Sequence, residues 1–236
     1  MSHRFYVDSP ITDKLATLAG TEAHHLLHVL RARAGEEVTL FDGNGAEFRA
    51  VVRELNRQTA QLEVVERLEI DRELPFALSL AVALPKGDRQ KLLVEKLTEL
   101  GVGRLVPLRS ERSVAQPKGS ALDRLRRSVI EASKQCRRNR LMEIAEPISF
   151  HDFLEKPAAA TARWIAHPAG ETETHSFGQA HGELAILVGP EGGFSDAEVA
   201  AAREADWCCI DLGPRILRIE TAAIALAALA ATSARP

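Results

Sequence analysis

Cysteine is scarce in this chain of 236 residues. The three present, Cys136, Cys208 and Cys209, form no paired metal spacing, which excludes a zinc ribbon, and a reducing compartment is the simpler expectation. The vicinal pair lies in the apolar run Trp207-Cys-Cys-Ile210 and reads as buried strand. Long hydrophobic runs are missing as well. The longest apolar stretch, residues 222–231, is too short to cross a bilayer, and Met1-Ser-His-Arg-Phe-Tyr6 carries no signal-peptide core, so a cytoplasmic protein without a membrane partner is expected. Net charge is also small, at -3, but the average conceals an asymmetry. Residues 81–140 hold 15 Lys and Arg against 6 Asp and Glu, between flanks that are both acidic. Such a basic block is either the footprint of a phosphate backbone or a set of solvated helix faces, and charge alone does not separate the two.

What is present is enough apolar sequence, 45%, for a substantial core. The first seventy residues read as β-rich. Phe5-Tyr-Val7, Val38-Thr-Leu-Phe41, residues 47–52 and residues 61–65 predict strands, with Asp42-Gly-Asn-Gly45 as a hairpin turn. One helix interrupts them over residues 23–30, with Leu26, Leu27 and Leu30 on one face. This pattern predicts a small barrel-like domain, and the charged stretch 66–73 a linker. His24, His25 and His28 share that helix at metal-like spacing, yet no carboxylate or cysteine partner is evident, so no metal is assigned.

From Phe76 the pattern changes to alternating strand and helix. The run Phe76-Ala-Leu-Ser-Leu-Ala-Val-Ala-Leu84 is nearly continuous in apolar residues, as a strand buried on both faces requires. Further strands are predicted at 105–108, 163–166, 184–188 and 207–212. Helices are predicted from Lys86 to Gly101, from Ser120 to about Arg138, over 195–205 and over 220–232, with capping boxes at Ser120 and Asp123 and at Ser195 and Glu198. This alternation predicts an α/β fold with a parallel sheet covered by helices.

Two glycine-containing stretches stand out: Leu187-Val-Gly-Pro-Glu-Gly-Gly-Phe-Ser195 and Leu212-Gly-Pro-Arg-Ile-Leu-Arg-Ile-Glu-Thr-Ala222. Each follows an apolar strand and opens into a helix. Ligands of open α/β sheets settle beyond the carboxyl ends of the strands, so the pair predicts two walls of one site. The first is neither a Walker loop nor a G-x-G-x-x-G fingerprint, and by itself fits a tight connection as well as a ligand cradle. In the second, Arg218, Glu220 and Thr221 place two opposite charges and a hydroxyl before an otherwise apolar helix, as a cap or as chemistry.

These two stretches closely resemble the signature of the SPOUT RNA methyltransferases, nearest to the bacterial 16S ribosomal RNA uridine-N3 methyltransferases. The resemblance runs in order through His3-Arg-Phe5, Val29-Leu-Arg31, Leu40-Phe-Asp-Gly43, Lys86-Gly-Asp88, Thr98-Glu-Leu-Gly-Val102, Ser110-Glu-Arg-Ser113, Glu131-Ala-Ser133, Gln135-Cys136, Arg138-Asn-Arg140 and His167-Pro168. Arg137 departs from it, at a position where relatives commonly have glycine. The resemblance implies a PUA-like RNA-binding β-barrel domain at 1–72 and a SPOUT domain with a deep trefoil knot at 73–236. It also implies S-adenosylmethionine as methyl donor, a homodimer, and 16S ribosomal RNA or the small ribosomal subunit as partner. By the same resemblance the donor lies among His167, Pro168, Leu187, Val188, Gly189, Pro190, Glu191 and Gly192 on one side. Leu212, Gly213, Ile216, Leu217, Arg218, Thr221 and Ala222 form the other.

Methylation at uracil N3 needs the imide proton removed and the developing negative charge stabilised. Arg218 is the candidate cation, and Glu220 or Glu191 the base or base-positioning group. Lys86, Arg89, Arg112, Arg137, Arg138 and Arg140, with Arg4, Arg31 and Arg33 from the first domain, are the candidate phosphate contacts. The alternatives are a SPOUT enzyme acting on a ribose 2′-oxygen or another base, and a non-catalytic RNA-binding assembly factor; intact donor loops favour an enzyme.

Overall fold

The computed structural model describes residues 3–114, 119–155, 162–171 and 182–233. Met1 and Ser2 of the N-terminal stretch read above lie outside the described residues. The chain divides into two compact units, the first reaching Glu73 and including Ser133–Leu141, the second made of Leu74–Ala132 and the chain from Met142.

The first unit holds strands β1 (Arg4–Tyr6), β2 (Leu15–Leu18), β3 (Glu37–Phe41), β4 (Glu47–Leu55) and β5 (Ala60–Leu68), in the sheet order β1-β3-β4-β5-β2. All pairs are antiparallel except β1 with β3, and the sheet curls into a half-barrel. Alternation sets its two faces: Phe48, Ala50 and Val52 of β4 are buried while Arg49 and Arg53 point out. The β3–β4 turn uses Gly43 at φ 83° and Gly45 at φ 112°, with the Asp42 carboxylate accepting from the Asn44 amide at 3.0 Å. The expected linker at 66–73 is strand at its start, because Glu66 and Arg67 stay in register with Arg49 and Phe48.

The single helix expected at 23–30 is instead a short α1 (Gly20–His24) that widens into a π-helical turn, His25–Val29. The Leu30 amide bonds the His25 carbonyl at 3.0 Å, and Arg31 follows at φ 53°. This widened turn keeps Leu26 in the core with Leu27 and Leu30 packed against it. His24 and His28 stay exposed with ring centroids 4.9 Å apart. Among the described residues no group of three or more His, Cys, Asp or Glu is placed to hold a metal.

Residues 133–141 are fastened within the first unit by ion pairs. Lys134 Nζ lies 2.7 Å from Glu22 Oε1, and the Arg138 guanidinium grips the Glu73 carboxylate at 2.5 and 3.1 Å. Asn139 donates to the Ile70 carbonyl at 2.9 Å. Arg137, the departure noted above, has φ 65°, a conformation that glycine adopts without steric cost.

The second unit runs β6 (Ala77–Val82), α2 (Arg89–Glu99), β7 (Arg104–Arg109), α3 (Ser120–Cys136, its last turn counted with the first unit), β8 (Glu143–Ile144), β9 (Ile148–Ser149) and α4 (Phe150–Glu155). It continues with β10 (Ala162–Glu171), β11 (Glu183–Val188), α5 (Asp196–Glu204), β12 (Cys208–Ile210) and α6 (Ile219–Ser233). The sheet is parallel throughout, in the order β12-β10-β11-β6-β7-β8, with β9 beside β7. From Leu78 to Val82 and from Leu184 to Val188 every residue is buried, which is why these runs lack alternation in sequence.

The Ser195 and Glu198 capping box forms in full, with the Ser195 hydroxyl accepting from Glu198 N–H and the Glu198 carboxylate from Ser195 N–H. The second expected box does not: Ser120 is already the first helical residue, and the Gly119 carbonyl accepts the Leu122 and Asp123 amides. The vicinal cysteines also differ from expectation, Cys208 being exposed and Cys209 half-buried, because β12 is a three-residue strand at the sheet edge.

Candidate active site

Three consecutive neighbours in the parallel sheet, β12, β10 and β11, border a cleft of ≈ 360 Å³ within the second unit, β11 and β12 by the loops at their carboxyl ends and β10 by residues within the strand. Its walls are Ala166, His167 and Pro168 of β10, the 188–193 loop after β11, and the 210–217 loop after β12 with Ile219 and Ala222 of α6. Hydrophobic residues dominate and a few charged groups (Glu191, Asp211, Arg215) join them, the composition of a small-molecule site.

Each loop has a local reason for its shape. In the first, the Gly193 amide closes on the Pro190 carbonyl at 2.8 Å, with Gly193 at φ 70°. Phe194 then anchors the loop in the core, 5.3 Å between ring centroids from Phe150. Gly189 lies against that ring, where a Cβ would stand 3.1 Å from it; the bare backbone is needed by the packing behind the loop. In the second, Asp211 Oδ1 accepts the Gly213 amide at 2.9 Å, and Gly213 takes φ 96°. Ile216 at the tip is 97% exposed, and the Ala222 amide bonds the Arg218 carbonyl as α6 begins.

Most of the residues expected around a donor line this cleft. Leu187, Arg218 and Thr221 do not: Leu187 is fully buried in the sheet, while Arg218 and Thr221 face solvent beside the start of α6. Sequence reasoning missed Ala166, Gly193, Ile210, Asp211, Pro214, Arg215 and Ile219. Asp211 was findable, since an Asp two residues before a glycine turn is a common loop-closing signal.

Of the two candidate glutamates, only Glu191 lines the cleft. Glu220 is 6% exposed, and its Oε2 accepts no hydrogen bond among the described residues. Among the described residues both carboxylates pair with Arg89, whose Nη1 is 3.6 Å from Glu220 Oε2 and whose Nη2 is 3.5 Å from Glu191 Oε1. Arg112 Nη1 donates to the Gly192 carbonyl at 2.7 Å, and the Glu111 amide donates to Glu198 at 2.9 Å.

The candidate phosphate contacts separate into groups. Lys86, Arg31, Arg33, Arg112, Arg137 and Arg140 are exposed, Arg112 with one guanidinium nitrogen on the Gly192 carbonyl, and Arg89 is half-buried. Arg4 and Arg138 are corrections. Arg138 is 3% exposed and spends its guanidinium on Glu73. Arg4 pairs with Glu47 at 2.8 Å, donates to the Arg138 carbonyl and to Asn139, and stacks 4.2 Å above the Phe41 ring. Burial pushes its pKa down and the Glu47 pair opposes the shift. Both side chains are more than nine-tenths buried, which leaves little of either for a phosphate grip.

The chain matches the family model of the RNA methyltransferase domain over residues 72–231 and that of the RNA methyltransferase PUA domain over residues 18–65. It is 34% identical to the ribosomal RNA small subunit methyltransferase E of Synechocystis, over 94% of this chain and 75% of that protein. Among solved structures it resembles a methyltransferase of Legionella pneumophila in complex with S-adenosylmethionine, at TM-score 0.90 and 33% identity, covering 98% of each chain. It resembles equally the ribosomal RNA small subunit methyltransferase E of Neisseria gonorrhoeae bound to S-adenosylmethionine, at TM-score 0.90, 31% identity and 98% of each chain.

Proposed function

The chain belongs to the RNA methyltransferase family that includes ribosomal RNA small subunit methyltransferase E, and from that premise we propose that it transfers a methyl group from S-adenosylmethionine to N3 of a uridine in 16S ribosomal RNA. The observation that carries the reading is the convergence of two strand-end loops and the 166–168 stretch of β10 on one cleft, in a domain of this family. The cleft, at ≈ 360 Å³, falls in the range of about 300–1,000 Å³ that small-molecule sites occupy.

The donor supplies an electrophilic methyl group on sulfur. Everything else falls to the protein. Loops 188–193 and 210–217 hold the donor against the strand ends, and the apolar lining keeps water from the methyl group. Uracil N3 must lose its proton before it attacks, and this reading assigns that proton to Glu191, because of the two candidate carboxylates it is the one that lines the cleft. Arg218, on solvent at the mouth of the second loop, meets the uracil oxygen as charge develops there.

In this reading residues 1–72 form the PUA-like RNA-binding domain and 73–236 the methyltransferase domain, threaded as a trefoil knot through the loops that close the cleft. Exposed Arg31, Arg33, Lys86, Arg137 and Arg140 contact phosphate. The enzyme works in the cytoplasm as a homodimer. Support for self-association is the apolar outer face of α6, where Ile224, Ala225, Ala228 and Leu229 are only half-buried, and the exposed Ile216.

The deciding experiment has two arms. Calorimetry should detect S-adenosylmethionine binding to the purified protein. Labelled donor with unmodified 16S RNA or small subunits should then yield 3-methyluridine in the digest; a labelled ribose methyl would move the reaction to the 2′-oxygen, and no incorporation with either substrate would remove the enzyme reading.

A further inference from the structure

Arg89 and Arg112 belong to the basic stretch that sequence assigns to phosphate, yet both turn toward the 188–193 loop of the cleft. Arg89 is the first residue of α2, separated from Gly87 at φ 65° by the N-cap Asp88, and the turn is fixed by the Gln90 amide on the Gly87 carbonyl and the Gln90 side chain on the Pro85 carbonyl. From there its guanidinium spans two carboxylates: Glu191 on the loop wall, at 3.5 Å, and Glu220 on α6, which carries the opposite wall, at 3.6 Å. Arg112 reaches the same loop separately, through the Gly192 carbonyl at 2.7 Å, and its methylene chain lies 3.3 Å from where a Cβ on Gly192 would stand.

We infer that Arg89 and Arg112 are positioning residues that brace the donor loop from outside the cleft, Arg89 by tying Glu191 to Glu220 and Arg112 by holding the Gly192 carbonyl. The electrostatic argument decides against a phosphate role for Arg89. Glu220 is 6% exposed, so its carboxylate needs a countercharge, and among the described residues its only ion pair is with Arg89. Swinging Arg89 outward to a phosphate would strand that buried charge, and a single solvent-exposed phosphate contact does not repay such a loss. The approach would also bring a phosphate onto Glu191, whose side chain is half exposed. Glu220 thereby acts through Arg89 and not on the substrate.

The inference rests on the donor reading of the cleft, and its test separates the two. Wild type, Arg89→Gln, Arg89→Lys, Arg112→Gln and Arg89→Gln combined with Glu191→Gln would be compared by three measurements: S-adenosylmethionine titration calorimetry, amide hydrogen exchange of residues 189–193 without ligand, and RNA binding as a function of salt. Arg89→Gln should raise the donor Kd about tenfold and Arg112→Gln about threefold, with loop exchange about tenfold faster in both. Arg89→Lys should recover part of the loss, since one ammonium reaches one carboxylate at a time. Adding Glu191→Gln to Arg89→Gln should cost little more, because the contact is already gone. RNA affinity and its salt slope should stay within about twofold of wild type. An unchanged donor Kd and unchanged loop exchange in Arg89→Gln and Arg112→Gln, with a salt slope reduced by about one phosphate each, would overturn the brace and return both residues to the RNA. Wild type that fails to bind the donor would instead overturn the donor reading, and the inference with it.

Discussion

The two sheets of this molecule follow opposite rules of exposure. In the largely antiparallel sheet of the first unit, alternate residues of β4 face solvent, and Arg49 and Arg53 of β4 and Arg67 of β5 occupy exposed positions. In the parallel sheet of the second unit, β6 and β11 are buried everywhere except at their first residues, Ala77 and Glu183. A sheet of the first kind presents chemistry across its face; one of the second kind presents it only where its strands end. Arginine is used accordingly. In the first unit it is either exposed, as at Arg31 and Arg140, or sunk in ion pairs, as at Arg4 and Arg138, whereas Arg89 and Arg112 of the second unit are spent on a strand-end loop.

The contrast can be broken most visibly at the strand ends. If bound RNA covers the exposed Arg218 as proposed, Arg218→Ala should lower single-turnover methyl transfer about a hundredfold to a thousandfold with saturating donor and RNA, as the loss of one charge donor to the transition state does. A rate within about threefold of wild type would make Arg218 a structural or RNA-holding residue instead. In the first unit the largest effect should be on folding. Arg138→Met leaves the Glu73 carboxylate, 19% exposed, without its partner and should cost about 3 kcal/mol in denaturant unfolding; a loss below about 1 kcal/mol would show the pair to be dispensable.

Smaller effects sharpen the same comparison. Gly213→Val forces a branched residue to φ 96° and should weaken donor binding about tenfold or more in a protein with an unchanged circular dichroism spectrum. Arg137→Ala with Arg140→Ala should weaken RNA binding a few-fold and flatten its salt dependence by about two phosphates, with donor affinity intact. The smallest change expected is Arg137→Gly, which relieves φ 65° and should stabilise the protein by about 0.5–1 kcal/mol while RNA affinity falls. A destabilised Arg137→Gly protein would mean that the side chain packs rather than reaches for RNA.

Sequence by itself determined the parts of this protein that depend on local pattern. Strand periodicity, the switch from alternating to continuous apolar runs, the Ser195 and Glu198 cap and the two glycine loops were legible because each is written within about ten residues. The π-helical turn at His25–Val29 was not, since it arises from Leu26, Leu27 and Leu30 all being drawn onto the barrel core. Tertiary structure alone decided which charged residues are free. Arg4, Arg89, Arg112 and Arg138 look like Arg31 and Arg140 in sequence, but their partners Glu47, Glu191, Gly192 and Glu73 lie 43 to 102 residues away along the chain. A guanidinium carries the same charge wherever it stands; burial and the arrival of a distant carboxylate or carbonyl determine whether that charge meets the protein or its ligand.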